Sequence, residues 1–342
     1  MKKVAIIGCG LIGDKRAKSF SSKATLVACA DINIEAARKF AERYGNMPYY
    51  SDVESLLKNS KCDIVILSTS HNSLPALLKT CLEHKKHVLV EKPAGRFAEE
   101  LEPLSELATK NKCKVHIGFN HRYHRAFIQA KEILESGDLG EMMFIRARYG
   151  HGGRIGYNKE WRSNPELSGG GELIDQGSHL IDLSRMFLGD FSEVTGIACN
   201  YFWDMPVDDN AFITLRTLTG QIAFLQASCT EWKNTFSFEI YGKKGKLEIN
   251  GLGGSYGTEK LTYYKMLPEM GPPETYSWEY PMGDNSWEIE FEEFIADING
   301  DKNCSPGIPD AIANLKIINK IYKKNQVSAL KISFSLYTFF KK

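Results

Sequence analysis

The 342-residue sequence has almost no surplus of charge, since 43 Lys and Arg against 42 Asp and Glu leave a formal net charge of +1. That excludes the electrostatic footprint by which a chain gathers on nucleic acid or on an anionic membrane. Its eight cysteines (Cys9, Cys29, Cys62, Cys81, Cys113, Cys199, Cys229, Cys304) include no Cys-x-x-Cys pair, and none stands beside histidine at metal-ligand spacing. They read as reduced, mostly buried thiols, and no metal site is expected. Long apolar runs are missing too. The run after Met1-Lys2-Lys3 is broken by Gly8, Gly10, Gly13 and Asp14-Lys15-Arg16 before a signal-peptide core forms, so a cytoplasmic location is expected. The apolar end, residues 326–342, carries Leu330, Ile332, Phe334, Leu336, Tyr337, Phe339 and Phe340, but is too short and too interrupted to span a bilayer. It reads as a terminal strand or a contact with another subunit.

What remains is the composition of a soluble globular protein, 25% charged and 43% hydrophobic. The length suits two domains. They are expected over residues 1–121 and 122–325, with 326–342 as an atypical tail.

The first third alternates strand and helix signals. An apolar β-branched run over residues 3–9 leads into Gly8-Cys9-Gly10-Leu11-Ile12-Gly13, and residues 14–22 read as a helix. This is the G-x-G-x-x-G fingerprint in the setting it requires: glycines for a tight turn and close approach to a pyrophosphate, and a helix start facing the phosphates. A second strand, 25–30, ends in Asp31, placed to hydrogen-bond the ribose hydroxyls of an adenosine. A carboxylate there repels a 2′-phosphate, and Ile32 and Asn33 supply no arginine to receive one, so NAD is favoured over NADP. Asp31 is equally placed to cap the helix beginning near Glu35. Strands at 63–69, 87–90 and 114–118 alternate with helices at 74–84 and 99–111, which implies a doubly wound parallel sheet of the Rossmann type. Ligands of such sheets bind at the carboxyl ends of the strands. The candidate cofactor residues are therefore Gly8, Gly10, Leu11, Ile12, Gly13, Asp31, Ser68, Thr69, Asn72, Glu91, Lys92 and Asn120.

Two further segments point to chemistry. Glu91-Lys92-Pro93 lies where the strand 87–90 stops; the proline restricts Lys92 to extended geometry and allows a cis bond. A lysine beside a cationic nicotinamide suits proton transfer or positioning of a hydroxyl. Gly169-Gly170-Gly171-Glu172-Leu173-Ile174-Asp175-Gln176-Gly177-Ser178-His179 is a glycine-rich turn running into a helix. Four residues apart, Asp175 and His179 share a helix face, where a carboxylate can orient an imidazole for proton transfer. The three glycines read as a side-chain-free turn that lets substrate approach the helix start.

In this order and spacing the fingerprint, Asp31, Glu91-Lys92-Pro93 and Asp175-x-x-x-His179 resemble the Gfo/Idh/MocA family of sugar and cyclitol dehydrogenases, over roughly residues 3–326. The resemblance implies that Lys92, Asp175 and His179 line the active site. It implies oxidation of a secondary hydroxyl of a sugar, cyclitol or nucleotide-linked sugar, with His179 as acid and base. It also implies two alternatives, an NAD-dependent glycosidase of the same family and a noncatalytic NAD-binding regulator. The chain departs from the family's usual nucleotide-contacting loop where it reads Ser70-His71-Asn72-Ser73-Leu74.

After Asn120 the pattern changes to a helix at 126–136 and β-rich runs at 142–149, 193–202, 211–217, 221–229, 236–241, 246–249 and 261–265, then a helix at 310–324. Turn signals at Leu218-Thr219-Gly220 and Gly242-Lys243-Lys244-Gly245 mark hairpins. An α+β domain with an open, mostly antiparallel sheet follows, and the resemblance implies a homodimer or homotetramer formed through that sheet. Arginines and aromatics gather between the first sheet and the Asp175 helix, among them Arg146, Arg148, Arg154 and Trp161. They make an anionic or nucleotide-linked sugar attractive. Asn120, Arg122, Tyr123 and Arg162, with Lys92, Asp175 and His179, are the candidate substrate residues.

Overall fold

The computed structural model describes residues 1–20, 23–300 and 302–339, with side chains as far as Asn325. The chain forms two compact units. The first holds Met1–Arg125, Glu166–Gly169 and Gly283–Ala313, and the second Ala126–Pro165, Gly170–Met282 and the chain from Asn314 onward. In chain order the α-helices are α1 (Leu11–Lys18), α2 (Ile34–Arg43), α3 (Val53–Asn59), α4 (Leu74–Glu83), α5 (Glu102–Lys110) and α6 (Arg125–Glu135), then α7 (Pro165–Ser168), α8 (Glu172–Asp175), α9 (Gly177–Leu188), α10 (Ser286–Asn299) and α11 (Ile308–Phe339).

The first unit is built on strands β1 (Lys2–Ile7), β2 (Ala24–Ala30), β3 (Tyr49–Tyr50), β4 (Ile64–Leu67), β5 (His87–Glu91) and β6 (Val115–Gly118), in the spatial order β3-β2-β1-β4-β5-β6. Every neighbouring pair is parallel, as the alternation of strand and helix signals required. Helices cover both faces, so the central strands are uniformly apolar rather than alternating. All four residues of β4 have no exposed surface, and each such branched side chain contributes about 1.5–3 kcal/mol relative to an exposed one. Strand order reverses between β1 and β4, the switch point where a crevice opens at the strand ends. The Ser68 N–H donates to the Ile7 carbonyl there at 2.9 Å. Phe291, Phe294 and Ile295 of α10 join Val4, Ile6, Ile64 and Phe40 in one core. This helix and α3 lie outside the elements expected from sequence.

The second unit carries an eight-stranded sheet, β14-β13-β12-β11-β7-β10-β9-β8. Its strands are β7 (Met142–Gly150), β8 (Phe191–Cys199), β9 (Asn210–Thr217), β10 (Ile222–Ser228), β11 (Thr235–Gly242), β12 (Gly245–Asn250), β13 (Glu259–Lys265) and β14 (Glu274–Tyr280). Only the central β7–β10 pair is parallel; the other six are antiparallel. Helix α9 packs on β7 and β10. The period of two is visible in burial: Ile145, Ala147 and Tyr149 are buried while Phe144, Arg146 and Arg148 are exposed. The hairpin at Lys243-Lys244 pairs Gly242 with Gly245.

One expectation is corrected at the end of the chain. Residues 326–339 are not a strand but continue α11, because the helical hydrogen-bond pattern carries through a segment whose aromatic content suggested β structure. The side chains of the expected subunit contact there, 326–342, lie outside the described residues. No helix among the described residues is long and apolar enough to cross a membrane.

Candidate functional site

The glycine fingerprint forms the turn between β1 and α1. Gly8 has φ +99°, a conformation other residues adopt at a cost, and a Cβ on it would lie 2.5 Å from the Ser68 carbonyl oxygen. A Cβ on Gly13 would lie 2.1 Å from the Gly8 oxygen, whereas one on Gly10 would meet nothing within 4 Å. The loop is thus closed inward and open outward. No side-chain hydrogen bond caps α1 at Gly10, as suits a helix start that receives a pyrophosphate. Asp31 closes the arrangement: Oδ2 accepts from the Cys9 N–H at 2.8 Å and Oδ1 from the Asn33 N–H at 2.9 Å. Asn33, not Asp31, caps α2, accepting from the N–H groups of Glu35 and Ala36. Leu11 is exposed and Ile12 half-buried on the outer side of the loop.

The other strand ends of the first unit are internally tied. The Ser68 hydroxyl donates to the Gly8 carbonyl at 2.8 Å, and Thr69 Oγ1 accepts from Ser73 at 2.8 Å. The Asn72 N–H donates to the Leu167 carbonyl at 3.0 Å, and buried His71 Nδ1 lies 2.8 Å from the Ser168 carbonyl oxygen. At the end of β5 the Lys92-Pro93 bond is cis. The Ala94 N–H returns to the Glu91 carbonyl at 2.9 Å, and Lys92 is half-buried. The Glu91 carboxylate turns inward, with Arg16 Nε at 2.6 Å. Buried Asn120 donates to Ser286 Oγ at 3.0 Å. Arg122 lies 3.3 Å from Asp310 Oδ1, and the Tyr123 hydroxyl donates to the Ser305 carbonyl at 3.4 Å; these partners all belong to the first unit.

In the second unit the Asp175 and His179 stretch is punctuated at Gln176, with Asp175 ending α8 and His179 in the first turn of α9. Gly170 and Gly171 before it make room for the protein's own groups, which corrects their reading as an opening for substrate. A Cβ on Gly170 would lie 2.1 Å from the Tyr322 hydroxyl oxygen, and one on Gly171 1.8 Å from the Asp208 carbonyl oxygen. Buried Asp208 does the work of a helix cap, accepting from the N–H groups of Gly171 at 2.9 Å and Leu173 at 2.8 Å. The Tyr322 hydroxyl donates to it at 2.7 Å.

Asp175 Oδ2 accepts from Arg162 Nε at 2.9 Å, and the Trp161 ring lies 4.7 Å from that guanidinium. The Asp175 charge raises the Arg162 pKa further. His179 is buried, with the Tyr149 ring edge-on at 6.2 Å. One turn before Asp175 lies Glu172, fully buried, its Oε1 accepting from the Tyr157 hydroxyl at 2.6 Å and standing 3.7 Å from His151 Nε2. Burial, then the Asp175 charge, push the Glu172 carboxyl up to about 8, so it is largely protonated at neutrality. Burial also lowers the His151 pKa, against the pull of Asp175.

Glu172, Tyr157, His151 and Arg16 escape a reading by motif. Glu172 had a signal, a carboxylate three residues before Asp175 on the same helical run; the others come from distant segments. Two other arginines of this region are paired, Arg146 with Glu239 at 2.5 Å and Arg154 with Glu160 at 2.6 Å. Folding also assembles a group that sequence spacing hides: the ligand atoms of His116, Asp297 and Cys304 lie within 4.8 Å of one another. Burial, then Asp297, push the Cys304 thiol up to about 12.

Residues 2–119 match the family model described as an oxidoreductase family with an NAD-binding Rossmann fold, and residues 127–248 match the GFO/IDH/MocA C-terminal domain. The chain is 31% identical over 247 residues to the D-glucoside 3-dehydrogenase of Escherichia coli, covering 66% of this chain and 70% of that one. It is 24% identical over 343 residues to the inositol 2-dehydrogenase of Rhizobium meliloti, covering 95% and 98%. The structure of levoglucosan dehydrogenase with NADH and L-sorbose superposes with a TM-score of 0.85 at 21% identity, covering 95% of this chain and 97% of that one.

Proposed function

This chain belongs to the Gfo/Idh/MocA family of oxidoreductases, and on that premise we propose that it oxidises a secondary hydroxyl of a sugar or cyclitol with NAD, using His179 as the proton acceptor. The family's NAD-binding domain is present and the relatives are sugar and inositol dehydrogenases. The observation that carries the reading is the pairing of Asp175 with Arg162 at 2.9 Å, one turn before His179. It supports a role for the Asp175 carboxylate beside the imidazole that must become cationic.

Bound NAD supplies the acceptor for the carbinol hydrogen. His179 takes the hydroxyl proton, and Asp175 stabilises the imidazolium that results. Lys92 holds the substrate oxygen and stabilises its developing negative charge. Asp31 selects NAD, its two oxygens already oriented by the Cys9 and Asn33 N–H groups. Arg122, Arg146, Arg154 and Arg162 each have a carboxylate partner. A neutral sugar or cyclitol fits these balanced charges better than an anionic one, and a nucleotide-linked sugar is the second substrate class. The working form is a homodimer or homotetramer. Absorbance at 340 nm with NAD and a panel of inositols, free sugars, nucleotide-linked sugars and uronic acids tests the reading. NADH formation with a neutral polyol supports it, and none with any member of the panel sinks it.

A further inference from the structure

Arg16 follows the glycine fingerprint on α1, three residues after Gly13, and has no exposed surface. An unpaired guanidinium in the interior would be prohibitively costly. It is held by two carboxylates far away in sequence. Nε and Nη2 lie 2.6 and 2.5 Å from Glu91 Oε1, and Nη1 pairs with Glu290 of α10, which is equally buried. The Trp287 ring lies 4.3 Å from the guanidinium carbon, and His116 Nε2 is 3.6 Å from the second Glu290 oxygen.

This arrangement grips the strand end that carries Lys92. Glu91 is the last residue of β5, and its carbonyl accepts the Ala94 N–H that closes the turn through Lys92-Pro93. Lys92 is the first residue of the turn that follows β5, so a Glu91 held by its carboxylate fixes the point from which Lys92 leaves the sheet. Space for the grip comes from Gly118, which pairs with Glu91 across β5 and β6. A Cβ there would lie 2.6 Å from Arg16 Nη2 and 3.2 Å from the Glu91 carboxyl.

We propose that Arg16, clamped between Glu91 and Glu290, is a positioning residue for Lys92, coupling the cofactor-binding helix α1 and the returning helix α10 to the placement of the catalytic ammonium. The inference rests on the role assigned to Lys92 above. Arg16 touches no reacting atom; it acts through the Glu91 backbone.

The experiment compares full-length wild type, Lys92→Ala, Arg16→Lys and the triple variant Arg16→Met/Glu91→Leu/Glu290→Leu. Kinetics, NAD affinity and melting temperature are measured for each. The triple variant removes all three charges of the clamp together, so none of those three is left without its partner and the variant is expected to fold. Its kcat is expected to fall at least about tenfold, a larger change than that in the NAD Kd. A folded triple variant with wild-type kcat beside an inactive Lys92→Ala would overturn the positioning role. Turnover in Lys92→Ala equal to wild type would instead overturn the role of Lys92. Where the triple variant does not fold, Arg16→Lys decides, since it keeps the charge and loses the fork. Reduced kcat at wild-type melting temperature upholds the role, and unchanged kcat overturns it.

Discussion

Arg162 Nε lies 2.9 Å from Asp175 Oδ2, so the carboxylate that precedes His179 by one turn is paired with a guanidinium from outside its own helix. A neighbouring cation favours the charged form of a carboxylate. Arg162→Ala is expected to move the acid limb of the kcat/KM profile upward by about one pH unit. Arg162→Lys is expected to move it less, because lysine keeps the charge without the planar fork. A pH-rate profile of both variants checks this, and an unmoved acid limb would remove Arg162 from the account.

Glu172 gives the fold a pH signature. Its folded-state pKa is raised from 4.5 to about 8, chiefly by burial, so the folded protein keeps a proton that the unfolded chain releases. The associated stability is fully present below about pH 4.5 and is lost as pH rises toward about 8, on the order of a few kcal/mol across the window. Glu172→Gln, which cannot ionise, is expected to flatten that part of the dependence of melting temperature on pH. Parallel slopes for the two proteins between pH 5 and 8 would contradict the assignment.

Asp31 is the proposed determinant of the cofactor preference. Its carboxylate is oriented by two backbone N–H groups, and the Ile32 side chain beyond it is exposed and apolar. Asp31→Ser is expected to lower the ratio of kcat/KM for NAD over NADP by at least about tenfold, through lost ribose bonding and relieved repulsion of the 2′-phosphate. An unchanged ratio would assign the discrimination elsewhere.

The exposed face of the second sheet accounts for the expected oligomer. Phe144, Ile222 and Phe224 stand on it, with Ile222 opposite Phe144 in the β7–β10 register. Exposed apolar clusters of this kind mark interaction surfaces. Phe224→Asp is expected to lower the mass seen by light scattering at micromolar protein toward that of one chain. A wild type that is already monomeric would remove the face from consideration.

Much of the first unit was legible because its signals are local. The β-branched runs, the G-x-G-x-x-G turn and Asp31 lie within about 30 residues, the span of one β-α-β unit. The hairpins at Gly220 and Gly242-Lys243-Lys244-Gly245 were legible for the same reason. Strand β14 was not: it has no fully buried position, so the inward alternation that marks a strand is absent. Helix α10 carries Phe291, Phe294 and Ile295 at helical spacing but buries them against strands more than 200 residues earlier. Lys92, Asp175 and His179 stood out through their motifs, whereas Arg16, Glu290 and Tyr157 acquire meaning only through partners brought near by folding. Gly170 and Gly171 answer to neighbours that no local pattern reveals, since Tyr322 and Asp208 fill the space they leave.

The most direct test of the central claim compares wild type with His179→Ala, measuring NADH formation at 340 nm together with NAD affinity. Turnover is expected to fall by about 10²–10⁴-fold, the contribution of a positioned acid–base group, while NAD binds within about twofold of wild type. Turnover in His179→Ala equal to wild type would contradict the account.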